Sequence, residues 1–197
     1  MYKINFKISL NTYSNINRYA AYLNLKAPII IRFLLTEQIN HFVCNPSDFQ
    51  SHYKNCKPKD TLGTIDSYGK EKPPKEYSIE ISEYIYRNIQ NICKEYNDTT
   101  NTIVNNLLHM GIREKFEYSE KDFFTPYNDL APNTKQYSIP LSDEFTKRLK
   151  DISEITGIKT NQLISLIIGN YLFEHFTDYD NDIYMTLDGR FHHHGVW

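Results

Sequence analysis

The side chains of this 197-residue chain with the types to do chemistry fall into three groups. His41, Cys44, His52 and Cys56 are zinc-ligand types. Their arrangement, His-x-x-Cys and His-x-x-x-Cys joined by seven residues, is not a zinc-site spacing, so no metal is expected there. His192, His193 and His194 form a second imidazole group near the end, with no complementary ligand pattern around it. The third group is Lys3, Asn5 and Lys7, three hydrogen-bonding heads at every second position; an extended strand puts all three on one face. The sequence contains no Gly-rich phosphate loop, no nucleophile elbow and no Cys/His pair with an orienting group. An enzyme is therefore not expected, and no cofactor is implied. The cysteines (Cys44, Cys56, Cys93) are odd in number and differ in setting, which fits a reducing compartment better than a disulfide framework.

The elements that would carry these groups come in three gapless copies, starting at Ile4, Tyr77 and Tyr137; a shift of 73 residues takes the first to the second and a shift of 60 takes the second to the third. Each copy opens on alternating residues: Ile4-Asn5-Phe6-Lys7-Ile8-Ser9, Tyr77-Ser78-Ile79-Glu80-Ile81-Ser82 and Tyr137-Ser138-Ile139-Pro140-Leu141-Ser142. That period predicts a half-buried strand, and the closing serines suit helix N-caps. Apolar steps of three and four then predict a first helix, through Ile16, Tyr19, Ala20 and Leu23 in the first copy and Ile89, Ile92 and Cys93 in the second. Asn24, Asn97 and Gly157 share the next turn position, where a left-handed conformation is tolerated. A more apolar second helix follows, with matched quartets Ile30, Ile31, Leu34, Leu35; Ile103, Val104, Leu107, Leu108; and Leu163, Ile164, Ile167, Ile168.

The organisation expected is unit one at residues 1–44, a linker at 45–75, unit two at 76–116, a linker at 117–135, unit three at 136–176 and a tail at 177–197. The linkers are read from their prolines and glycines (Pro46, Pro58, Pro73, Pro74, Gly63, Gly69; then Pro126 and Pro132). No transmembrane run or signal peptide is read, so a cytoplasmic protein is expected. A unit of about 40 residues has too little surface to bury alone, so each must pair with another.

Strand, helix, Gly/Asn turn and helix in this spacing resemble the ribbon-helix-helix superfamily of the Arc/MetJ/CopG type, most closely in the third copy: Tyr137 to Ser142, Phe145, Leu149, Gly157 to Asn161, Leu163, Ile164 and Gly169 to Tyr171. The fold class this implies is mainly α with short β-ribbons, in three tandem ribbon-helix-helix units that pair within chains, between chains, or both. The resemblance also implies that a paired ribbon enters the DNA major groove while the second helix's N-terminus holds a backbone phosphate.

On that basis Lys3, Asn5 and Lys7 are the expected base readers, because lysine donates to guanine and asparagine pairs with adenine. Lys26 and Ala27 are the expected phosphate contacts. Gln136, Ser138, Lys159 and Thr160 are secondary DNA contacts. Unit two presents Glu76, Ser78 and Glu80 and is the weaker reader; in unit three Pro140 removes a backbone donor. Charge follows this split: residues 1–60 hold eight Lys/Arg and three Asp/Glu (+5), residues 61–130 eight and twelve (−4), residues 131–197 six and nine (−3), which together make −2. A mildly acidic chain argues against strong nonspecific nucleic-acid binding.

The favoured pairing joins units two and three internally and makes a homodimer through unit one. Two other arrangements are open: units one and two paired internally with unit three dimerising, or every unit paired with its copy in a second chain. The function expected is a sequence-specific regulator of double-stranded DNA, either a transcriptional regulator such as a repressor or a plasmid or phage accessory protein. The alternative is a protein-interaction or DNA-mimic module that keeps the dimerising fold without reading DNA.

Overall fold

The computed structural model describes residues 1–55, 64–65, 71–72, 74–117, 138–176, 183–185 and 191–193. The order is β1 (Tyr2–Ile8), α1 (Leu10–Tyr22), α2 (Ala27–Cys44), α3 (Pro46–Asn55), the short β2 (Thr64–Ile65) and β3 (Glu71–Lys72), β4 (Lys75–Ile81), α4 (Glu83–Tyr96), α5 (Thr100–Glu117), α6 (Asp143–Thr156), α7 (Thr160–Phe176), and the short β5 (Ile183–Met185) and β6 (Phe191–His193). The protein is mainly helical with small antiparallel sheets, each of two strands.

Alternation decides which strand face is buried. Ile4, Phe6 and Ile8 of β1, and Ile79 and Ile81 of β4, point into the core, while the residues between them face outward. The two strands pair antiparallel in the register Lys3↔Glu80, Asn5↔Ser78, Lys7↔Glu76. Because Asn5 and Ser78 are equivalent positions of the repeat, the register is symmetric about that pair: the two copies meet as pseudo-two-fold partners.

This corrects the favoured pairing. The strands of units one and two pair with each other inside the chain, not those of units two and three. The charge contrast between the two strands favours their pairing, because across the antiparallel ladder unlike charges face one another and stabilise the pair. The third copy's strand is not formed either: residues 138–142 belong to no ladder.

Local chemistry sets the helix limits. Ser9, Ser82 and Ser142 each accept a hydrogen bond from the amide three residues on, at 3.1 to 3.2 Å. Those bonds satisfy N–H groups that a helix start leaves unpaired. Asn24 and Asn97 at φ 51° and Gly157 at φ 68° make the left-handed turn in all three copies. α2 has Pro28 in its first turn, where no intrahelical N–H is needed, and it has no side-chain cap.

Ile30, Ile31, Leu34 and Leu35 of α2 and Ile103, Val104, Leu107 and Leu108 of α5 are all fully buried in one cluster. Each such side chain contributes about 1.5–3 kcal/mol by leaving water. Two polar links also join α2 to α5: Gln38 Nε2 donates to Glu114 Oε2 at 2.7 Å, and Lys115 Nζ lies 3.3 Å from Glu37 Oε1.

The expected linker at 45–75 contains a helix. α3 starts at Pro46 and buries Phe49 and Tyr53 against the core. The prolines and lysines of this stretch outweighed a pattern of only two apolar positions, one turn apart. The Tyr53 hydroxyl donates to Asp98 Oδ2 at 3.2 Å and accepts from Asn106 Nδ2 at 2.9 Å. Burial pushes its pKa up, so it remains a protonated donor.

α6 and α7 dock on this body by a few specific contacts. Tyr19 Oη donates to Asn170 Oδ1 at 2.6 Å, Arg32 donates to the Gly157 carbonyl at 3.4 Å, and the Ser82 hydroxyl donates to the Ile155 carbonyl. Among the described residues, no helix is long and apolar enough to cross a membrane.

Candidate nucleic-acid interface

The outer face of the β1–β4 ribbon consists of Lys3, Asn5, Lys7, Glu76, Ser78 and Glu80, all exposed and all polar. Its inner face is held rigidly by the core. Stacked rings brace the two ends: Tyr2 on Tyr86 at 4.4 Å between centroids, and Phe6 on Tyr77 at 5.8 Å. The expected readers Lys3, Asn5 and Lys7 thus lie together on one open surface.

Sequence reasoning missed what lies opposite them. Glu80 faces Lys3 and Glu76 faces Lys7, with Lys7 Nζ 2.9 Å from Glu76 Oε1. Two lysines against two glutamates leave the face formally neutral. The ion pair is exposed at both ends, so it is worth at most about 1 kcal/mol and does not hold Lys7 against a competing partner. The signal for this pairing was present in the sequence as matched spacing, Lys-x-x-x-Lys against Glu-x-x-x-Glu, but it is readable only once the partner strand is known.

The second helices flank the ribbon. Asn101 Oδ1, in the first turn of α5, accepts the Lys7 backbone N–H at 2.6 Å. Arg32, in the first part of α2, reaches the Glu80 carbonyl on the other strand. Both bonds use backbone groups that point out of the ladder, so Lys7 and Glu80 occupy non-hydrogen-bonded ladder positions.

The expected phosphate contacts, Lys26 and Ala27, lie at the start of α2. Lys26 is exposed at the N-cap position of α2, and Ala27 is half-buried at its first turn. α2 has no side-chain cap, Pro28 carries no N–H and the Ile29 N–H is bonded to the Lys26 carbonyl at 2.9 Å, so an anion at this helix start would meet the Ala27 N–H and the Lys26 ammonium. α5 differs: Thr99 Oγ1 already accepts from the Thr102 N–H at 3.2 Å. The described secondary contacts belong to neither strand of the ribbon. Ser138 is exposed outside any strand, and Lys159 and Thr160 sit at the start of α7. Gln136 lies outside the described residues.

The zinc-type residues divide. His41 Nε2 lies 2.8 Å from Asp48 Oδ2, which ties the end of α2 to α3, and within α3 His52 Nδ1 lies 3.4 Å from Asp48 Oδ1. Cys44 is exposed and is not part of this cluster. Cys56 lies outside the described residues, as does His194. Cys93 packs against the core, and burial pushes its thiol pKa up, so it behaves as a small apolar side chain.

No family model matches the chain, and neither a curated protein nor a solved structure matches it.

Proposed function

We propose that this chain is a sequence-specific DNA-binding regulator of the ribbon-helix-helix type, whose reading ribbon is built by one chain from units one and two. The observation that carries the reading is the uncovered, wholly polar outer face of a two-stranded antiparallel ribbon whose inner face is locked into the core. A ribbon of this width fits the major groove. Lys3 and Lys7 supply donors suited to guanine, Asn5 pairs with adenine, and Glu76 and Glu80 accept from the cytosine amino group. The Lys26 ammonium and the Ala27 N–H at the start of α2 supply a phosphate contact. The two strands carry different side chains, so the preferred site is not a palindrome.

In-vitro selection from random duplex followed by a binding isotherm tests this. Replacing Lys3 and Lys7 together by alanine is expected to weaken the selected site by about 1–3 kcal/mol per lost base contact. Unchanged affinity for the double variant would remove the ribbon as reader.

One observation favours a second reading. The Lys7–Glu76 pair and the Lys3–Glu80 opposition neutralise the face, which suits a protein partner as well as a polyanion. A salt titration separates the two. Release of counterions from even two or three phosphates gives a log–log slope of about −2 or steeper, whereas a slope near zero with no selected site supports the protein-interaction reading.

A further inference from the structure

We propose that the third copy, α6 and α7 with residues 138–142, is a homodimerisation surface: it takes the same segment of a second copy of this chain, arranged as β1-α1-α2 and β4-α4-α5 are arranged on each other. The repeat itself identifies the occupant. Ile139, Leu141, Phe145, Ile152, Ile167 and Ile168 are exposed by between 37% and 54%. The equivalent residues of the second copy, Ile79, Ile81, Ile85, Ile92, Leu107 and Leu108, are exposed by at most 4%, because a sister copy covers that face. The third copy keeps the rest of its fold. Ser142 caps α6, Gly157 makes the left-handed turn, and Leu149, Leu163 and Leu166 are buried. What it lacks is the sister copy, and both other copies are already engaged with each other.

Pro140 does not block such a ribbon, although the sequence reading counted its missing donor against it. Position 140 is equivalent to Lys7 and Glu80. The Lys7 N–H leaves the ladder for the Asn101 side chain, so a ribbon of this design needs no ladder N–H at that position. The exposed apolar positions are the equivalents of those that the first two copies bury against each other, and grouped apolar exposure of this kind marks an interaction site. By the symmetry that sets Asn5 against Ser78, Ser138 faces Ser138 of the second copy. The inference stands apart from the DNA reading, and both its measurements are made without DNA.

Sedimentation equilibrium of the full chain is expected to give twice the 23.3 kDa chain mass. Ile168→Glu is expected to return it to the single-chain mass with unchanged helical circular dichroism, because that side chain is already exposed in one chain. As a second measurement, Ser138→Cys is expected to give a covalent dimer on oxidation, reversed by reductant, where the unsubstituted chain under the same conditions does not. A single-chain mass at every concentration would overturn the proposal, including the case in which the chain's own tail covers the face. So would a dimer that Ile168→Glu leaves intact and Ser138→Cys does not cross-link.

Discussion

Tyr53 shows how one side chain helps to fix a short helix to the core. α3 contributes two large buried rings, and the only polar atom it sends into the core, the Tyr53 hydroxyl, is satisfied by Asp98 and Asn106 together. Removing that oxygen while keeping the ring leaves the buried Asn106 amide without this partner. Tyr53→Phe is therefore expected to destabilise the fold by about 1–3 kcal/mol in a denaturant titration, far more than loss of one exposed hydroxyl would. A change within a few tenths of a kcal/mol would mean that water replaces the bond. At the outer face of the ribbon the energetics run the other way. The Lys7–Glu76 pair is solvated, so it contributes little to folding, and its consequence is for recognition: it sets which donors and acceptors the ribbon offers a partner.

At the scale of elements, equivalent positions of the repeat provide an internal control. Leu108 of α5 and Ile168 of α7 occupy the same place in their copies, the first fully buried and the second 47% exposed. Leu108→Ala is expected to cost about 2–5 kcal/mol of unfolding free energy, because a large side chain is lost from a packed core. Ile168→Ala, measured at concentrations low enough to hold single chains, should stay within about 0.5 kcal/mol, the range of surface substitutions. Equal costs at the two sites would show that the face of α7 is covered within one chain. The same comparison explains which features were legible beforehand. The serine caps and the Asn/Gly turns depend on a few neighbouring residues, and all three copies realise them. Strand formation at 138–142 depends on a partner strand, and the same alternating pattern without one yields no ladder.

For the whole molecule, the two proposals combine into an arrangement with a distinct DNA signature. Each chain carries one ribbon whose strands differ, Lys3-Asn5-Lys7 on one side and Glu76-Ser78-Glu80 on the other. A two-fold dimer through the third copies then holds two such ribbons in inverted orientation. The preferred target is expected to be an inverted repeat of a non-palindromic element, bound with avidity because the second ribbon engages at high local concentration. Footprinting of the unsubstituted chain should protect both elements, and Ile168→Glu should protect only one and bind at least about tenfold more weakly. Equal protection by both proteins would show that the two ribbons act independently.

The periodicities in the chain were enough to place the two helices of each copy, the strands of the first two copies, the caps, the turns and the polar identity of Lys3, Asn5 and Lys7, because the helices, caps and turns rest on interactions within one turn of helix and the strand faces on alternation along one strand. Periodicity could not show which segments pair, that Glu76 and Glu80 stand opposite the lysines, that α3 interrupts the first linker, or that Ile139, Ile167 and Ile168 are left uncovered. Those outcomes are set by contacts between residues far apart in the chain, such as Tyr53 with Asp98 and Asn106 or Lys7 with Glu76, which local pattern does not encode. Complementary charge across the ladder and the packing of α2 against α5 join the first two copies to each other, and that choice leaves the third with an apolar face that nothing else in the described residues covers.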